Sequence, residues 1–197
     1  MPIITLTTDF GLKDHSAVAV EGALLCELNQ LQIVDISHHM SPFNYTQAAY
    51  IIKNAYHNFP KGTIHIIGVN SELTPENKHL GIYLDRHYFI CANNGILSLI
   101  SSEIKPDKIV EINIYNSLGK KFDVSNVFVN VAAHICRGEN LDVIGKPILG
   151  MQKLNHVKPS INRYEDQIID HVIYVDNFGN VVSSTSQKLF NTVGKAR

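Results

Sequence analysis

The stretch IITLTTDFGLKDHSAVAVEGALLCELNQLQIVDIS, residues 3–37, decides the fold. Ile3 to Thr7 is a β-rich run, and Thr8-Asp9-Phe10-Gly11 breaks it. From Ser16 onward Ala17, Val20, Ala23, Leu24 and Leu28 recur at helical spacing, with Asp14 placed as an N-cap. Leu31 to Ile36 reads as a second strand. Working outward, Ser41-Pro42 marks a turn, because the residue before proline is pushed out of the helical region. Thr46 to Phe59 carries Ala49, Ile52, Ala55 and Tyr56 on one helical face, and Pro60-Lys61-Gly62 ends it. Thr63 to Val69 is a third strand.

Strand, helix, strand, helix, strand predicts a parallel sheet covered by helices. Ligands of such sheets bind beyond the carboxyl ends of the strands. Those ends are Asp9-Phe10-Gly11, His38 to Asn44, and Asn70 to Lys78. Further on, Gly81–Leu84, Tyr88–Ala92 and Lys108–Asn113 read as strands, Gly95 to Ser101 as a brief helix, and Val127–Cys136 as an apolar helix. Met151 to Asp166 is polar, contains Pro159, and marks a candidate domain boundary. Ile168–Val175, the turn Asp176 to Asn180, and Val181–Ser184 then make a hairpin-like unit.

Composition narrows the function classes. The 197 residues carry 17 basic against 18 acidic side chains, which leaves no basic face for nucleic acid and no cationic patch for lipid. No signal peptide opens the chain, and the most apolar stretch, Ala17 to Cys26, is interrupted by Glu21 and Gly22. Cys26, Cys91 and Cys136 are an odd number in apolar surroundings and read as buried free thiols of a reducing compartment. These features predict a soluble, cytoplasmic protein.

The motifs that carry chemistry are sparse. There is no GxxxxGKS, no GxGxxG after the first strand and no GxSxG elbow. Asp9 stands where a ligand hydroxyl binds, and equally where a helix-entry cap would. His38 and His39, with Asp35 and His65, invite a metal, but adjacent side chains diverge, and no HExxH or CxxC supports zinc. No metal site is therefore expected. Asn93-Asn94-Gly95 is most simply a turn needing positive φ.

Six segments, in order, nevertheless resemble one family. They are ITLTTDFGLKDHS at 4–16, IVDISHHMSPFN at 33–44, FPKGTIHI at 59–66, NNGILS at 93–98, VFVNVAAHI at 127–135 and VDNFGN at 175–180. Together they resemble the S-adenosylmethionine (SAM)-dependent fluorinases, chlorinases and SAM hydrolases (hydroxide adenosyltransferases). The resemblance implies an α/β fold: an N-terminal Rossmann-like domain with a parallel-rich sheet, followed by a small all-β domain. Residues 1–155 would be the SAM-binding domain, and 156–197 a linker with only the start of the β domain, as in a shortened or truncated member. It further implies a homotrimer with each site between one subunit's first domain and its neighbour's second. SAM would be the substrate, and no cofactor is expected.

Carried over by position, Asp9 matches the carboxylate that binds the ribose hydroxyls, and Ser16 a residue at the methionine part. Phe43 matches an aromatic beside ribose and adenine, Asp176 the carboxylate holding the methionine ammonium, and Phe178 and Asn180 the adenine-binding turn. The hydrolases' Asp-Arg-His set is altered. Its Asp position is Asn70, its Arg position Asn77 with Lys78 beside it, and its His position Asp123, while the Asp of a further turn is Asn93. Asparagine is no base, and Asn77 lacks the guanidinium fork. Asn70, Lys78 and Asp123 are thus the candidate catalytic residues of a SAM hydrolase. The alternative is a non-catalytic SAM or adenosine binder. Glu72-Leu73 does not resemble a halide pocket of small hydroxylated residues, which argues against halogenation.

Overall fold

The computed structural model describes residues 1–114, 124–155, 158–162 and 167–194. The β-branched run Ile3–Thr8 is β1, and α1 (Ser16–Glu27) crosses over to β2 (Gln32–Ser37). Next, α2 (Tyr45–Ala55) continues as a 3-10 turn at Tyr56–Asn58 and leads to β3 (Ile64–Gly68). A hairpin of β4 (His79–Leu84) and β5 (His87–Ala92) follows, then α3 (Ile96–Ile100) and β6 (Lys108–Ile112). A π-type turn at Val124–Phe128 opens α4 (Val129–Cys136), and α5 (Leu141–Ile144) runs directly into β7 (Gly145–Pro147).

These strands form one sheet in the order β2-β1-β3-β5-β4-β6-β7. Strands β2, β1, β3 and β5 are parallel neighbours, and β4, β6 and β7 extend the sheet antiparallel. The α/β class with a parallel-rich sheet is what the strand–helix alternation called for. Both faces are covered. Ile4, Leu6, Ile64, Ile66 and Ile90 point to one side, against Val20 and Leu24 of α1 and Val131 and Ile135 of α4. Ile67, Leu80, Ile82 and Phe89 point to the other, against Ala48 and Ile52 of α2 and Leu97 and Ile100 of α3. Two covered faces explain why β3 is buried at every position rather than alternately. Truncating a side chain such as Ile52, fully buried between α2 and the sheet, costs about 2–5 kcal/mol.

Gly145 closes the sheet's far edge. A Cβ there would lie 2.2 Å from the carbonyl oxygen of Glu111, so only glycine lets β7 approach β6.

Several local expectations need correction. His15, not Asp14, is the N-cap residue of α1, although the Asp14 carboxylate still accepts the Ser16 N–H at 2.9 Å. The second helix loosens to 3-10 geometry at Tyr56, whose ring is buried among aromatic and imidazole neighbours. The three thiols are free, but only Cys91 is buried; Cys26 is exposed and Cys136 half-buried. Helix α5 and strand β7 are too short to leave a periodic signal.

Residues 155–197 separate from residues 1–154 as a second compact unit. In it β8 (Ser160–Ile161) pairs with β9 (Ile168–Ile169), β10 (Val172–Val175) pairs antiparallel with β11 (Val181–Ser183), and α6 (Gln187–Gly194) follows. The run 168–175 is therefore two strands and not one. Asp170 divides it by accepting the hydroxyls of Ser184 at 2.7 Å and Thr185 at 2.6 Å and the N–H of His171 at 2.7 Å. Desolvation alone would raise that carboxyl, and these donors overcome it and hold it far below the usual carboxylate range. Leu189 and Val193, four residues apart, give α6 its half-buried face, a helix not anticipated from the sequence.

Candidate functional site

Because β2, β1, β3 and β5 are consecutive parallel neighbours, their carboxyl ends lie along one edge of the sheet. The loops leaving those ends carry Asp9, His38 to Phe43, Asn70, and Asn93-Asn94. They are cross-linked to one another. Asp9 Oδ2 accepts the backbone N–H of Phe43 at 3.1 Å and that of Asn70 at 3.4 Å. Gly11, at φ 71°, donates its N–H to the His38 carbonyl at 2.8 Å.

Two non-glycine residues here sit in the left-handed region, Phe43 at φ 61° and Asn70 at φ 42°. Asparagine adopts this conformation readily, whereas phenylalanine pays roughly 1–2 kcal/mol. Such strain concentrates at ligand clamps and active sites. The turn leaves the Phe43 ring 65% exposed at the strand-end edge, where a flat ligand face can lie on it.

Amides brace the third loop. The Asn70 side chain donates to the Tyr45 hydroxyl. Its carbonyl accepts Nδ2 of Asn77 at 3.1 Å and Nδ2 of Asn94 at 3.3 Å. Asn77 also donates to the Glu72 carbonyl at 2.9 Å, and Asn94 to the Val69 carbonyl at 2.8 Å. Below them His79 donates Nε2–H to the Ser71 carbonyl at 2.8 Å. Burial pushes that imidazole's pKa down, against the opposing effect of the Ser71 bond, and so favours the neutral ring. Asn93 donates its N–H to the Lys78 carbonyl at 2.6 Å and accepts the Gln152 N–H at 2.8 Å on its side chain.

Of the residues singled out in the sequence, Asp9, Phe43 and Asn70 are thus joined by direct hydrogen bonds. Lys78 is half-buried at the end of the same loop. Ser16 opens α1, and its N–H, then its hydroxyl, hold the Asp14 carboxyl below the usual range. Asp123 lies outside the described residues. Tyr45 and Asn94 belong to the cluster and were missed. Tyr45 lies one residue ahead of the helix start expected from the sequence, and Asn94 reads there only as part of a turn.

The second unit presents one turn. Asp176 Oδ1 accepts the N–H groups of Phe178 at 2.9 Å and Asn180 at 2.8 Å, and Oδ2 accepts the Asn180 side chain at 2.8 Å. The Asn180 side chain and N–H lead the donors that hold the Asp176 carboxyl below its ordinary pKa. Gly179 takes φ 84°, and Phe178 projects 91% exposed. Asp176, Phe178 and Asn180 therefore form one preorganised unit, with Asp176 as its nucleus.

The family model of the SAM hydroxide adenosyltransferase N-terminal domain matches residues 4–145. A protein of Methanocaldococcus jannaschii named (R)-S-adenosyl-L-methionine hydrolase is 27% identical over 190 residues, spanning 93% of this chain and 67% of the relative. A fluorinase of an Actinoplanes species is 21% identical over 209 residues, spanning 91% of this chain and 70% of the relative. Among solved structures, a conserved protein from Thermotoga maritima superposes with a TM-score of 0.85 at 27% identity, covering 98% of this chain and 74% of that one.

Proposed function

The chain belongs to the SAM hydroxide adenosyltransferase family, and from that premise we propose that it hydrolyses S-adenosyl-L-methionine to adenosine and L-methionine. The observation that carries this reading is the Asp9 carboxylate, held between Phe43 and Asn70 where a ribose would present its hydroxyls. A carboxylate fixed by backbone donors keeps lone pairs for a vicinal diol, and the exposed Phe43 ring suits the flat, apolar side of a nucleoside. Ser16 and Asp176 would take the methionine part, and Phe178 and Asn180 the adenine.

The chemistry asks little of the protein. Water attacks C5′ of the ribose in line as the C5′–S bond breaks, methionine leaves as a neutral thioether, and one proton is released. The sulfonium is already a good leaving group, so positioning and removal of competing water supply most of the rate. Asn70 would hold the water, Lys78 supply charge, and Asp123 orient it or take its proton. SAM is the substrate of the relative named a hydrolase, so it is consumed and no separate cofactor is called for.

We place the working site between copies of the chain, in a homotrimer, with the Asp9 edge of one subunit meeting the Asp176–Asn180 turn of another. Val172, Val175, Phe178 and Val181 of the second unit are each exposed, apolar side chains that assembly would shield from water. Free thiols fit a reducing compartment such as the cytoplasm. No helix among the described residues is long and apolar enough to cross a membrane.

Asn70 and Asn77 favour a second reading, a SAM or adenosine binder without turnover. Their Nδ2 groups donate to Tyr45, Glu72 and the Asn70 carbonyl, and neither side chain can act as a base. Incubation with SAM, followed by chromatography for adenosine and calorimetry for binding, separates the two. Adenosine above the enzyme-free background supports the hydrolase. Saturable binding with SAM recovered intact supports the binder, and neither result leaves both readings wrong.

A further inference from the structure

We propose that Glu21, Asp35 and His38 form a binding site for one divalent transition-metal ion of the Zn²⁺ class, beside the nucleoside edge and sharing none of its ligand-facing residues. Glu21 lies on α1, Asp35 on β2 and His38 just beyond it, and one donor atom from each falls within 4.8 Å of the other two. His38 is 3% exposed, and its Nε2 is buried, makes no hydrogen bond, and faces the carboxylates.

The ring's orientation carries the inference. His38 Nδ1 lies 2.7 Å from Thr8 Oγ1, which also accepts the Phe10 N–H. A ring that donates Nδ1–H to Thr8 turns a bare Nε2 lone pair towards Asp35 Oδ1, 3.2 Å away. Glu21 brings a second carboxylate to the same spot. In that tautomer three acceptors face one another and need positive charge between them. A proton on Nε2 would serve one carboxylate, along a direction that forms no hydrogen bond here. A divalent ion satisfies the nitrogen and both carboxylates together.

Dimensions and donor types agree. Donors about 2.1 Å from a tetrahedral ion stand roughly 3.4 Å apart. The His38–Asp35 pair already has nearly that spacing, and Glu21 closes the remainder by rotating its flexible side chain. One imidazole and two carboxylates suit Zn²⁺, with water completing the shell, and a hydroxyl fixing the ligating ring is the usual outer support of such sites. His65, the other partner considered from sequence, takes no part, since its Nδ1 bonds Thr5. Glu21 was missed because a strand motif gives no sign of what the crossover helix contributes.

The ion would clasp α1 to the edge strand β2, directly behind the turn whose Gly11 N–H bonds the His38 carbonyl. The role is structural, and it is tested without any turnover assay. The chelator-treated full chain is titrated with ZnCl₂ at neutral pH by calorimetry and by thermal melting. We expect one saturable equivalent and a raised Tm, with Glu21→Gln and Asp35→Asn each weakening binding about tenfold or more. Both positions reach solvent, so circular dichroism should find both variants folded. His39→Gln, altering the exposed neighbouring imidazole, should bind as the parent does. Absence of a saturable equivalent overturns the site, and so does binding that is undiminished in Glu21→Gln and Asp35→Asn; loss of binding in His39→Gln would place the ion elsewhere.

Discussion

Asp9 Oδ2 accepts the backbone N–H of Phe43 at 3.1 Å, tying the end of β1 to a strained residue in the loop after β2. The same oxygen faces the Asn70 N–H at the end of β3. One carboxylate thus gathers three strand ends. Asp9→Ala should lower stability by about 1–2 kcal/mol, from two lost charge-assisted contacts. It should also abolish saturable binding of SAM or adenosine. Asp9→Asn keeps acceptor capacity without the charge, so it should recover most of the stability but little of the affinity. Chemical denaturation and calorimetry read the two effects separately, and unchanged ligand binding in Asp9→Ala would remove Asp9 from the site.

Asn94 is the buried brace of the third loop. Its Nδ2 reaches the Val69 carbonyl at 2.8 Å, and its Oδ1 accepts the Ile96 N–H at 3.2 Å. Asn94→Ala leaves these backbone groups without their partner and should cost about 1–3 kcal/mol. Asn94→Asp should be no better, because a carboxylate repels the Val69 carbonyl that the amide satisfied. Urea midpoints of both variants test this, and a midpoint equal to the parent's would show that the loop is held by Asn77 alone.

His65 should make the fold acid-sensitive. It is 1% exposed, with Nδ1 2.7 Å from Thr5 Oγ1 and Nε2 3.2 Å from His87 Nδ1. Burial, then the neighbouring His87, pushes its pKa down to about 3, and burial lowers His79 and His87 as well. In the unfolded chain these rings titrate near pH 6.5. Below that pH the unfolded state takes up protons that the folded state refuses, so stability falls as pH falls. For His65 alone the loss is about 1.4 kcal/mol per pH unit, continuing to about pH 3, where the folded ring also protonates. Denaturation midpoints between about pH 7.5 and pH 5 should decline steadily. A flat profile would mean that the rings charge inside the fold.

Asp176 and Phe178 should separate structure from binding within one turn. Asp176→Ala removes the acceptor for three donors and should disorder the Asp176–Asn180 turn. Phe178 is exposed, so Phe178→Ala should alter stability by no more than about 0.5 kcal/mol. If the ring stacks on adenine, the same change weakens nucleoside binding by about tenfold, near the value of a base–aromatic stack. Full affinity in Phe178→Ala would take the ring out of the site.

Much of the fold was legible because it rests on local signals. β-rich runs and helical spacing in residues 3–69 disclosed the first three strands and two helices, and proline and glycine marked their ends. The far edge was not legible. Strand β7 has three residues and survives because Gly145 lets its backbone touch Glu111, a contact between positions far apart in the chain. The split at Asp170 was hidden for a similar reason, since its partners Ser184 and Thr185 arrive from beyond the hairpin.

The sequence by itself determined the α/β class, the strand ends where chemistry belongs, and six ordered segments that led to the family. These follow from local propensity and from residue identity, both written along the chain. Only the tertiary structure decided which side chains share a hydrogen bond. It put Asp9 on Phe43 and Asn70, made Tyr45 and Asn94 part of the cluster, and brought Glu21 across to Asp35 and His38. Such pairings depend on strand order and on how a crossover helix lies against an edge strand, and no spacing along a single chain encodes them.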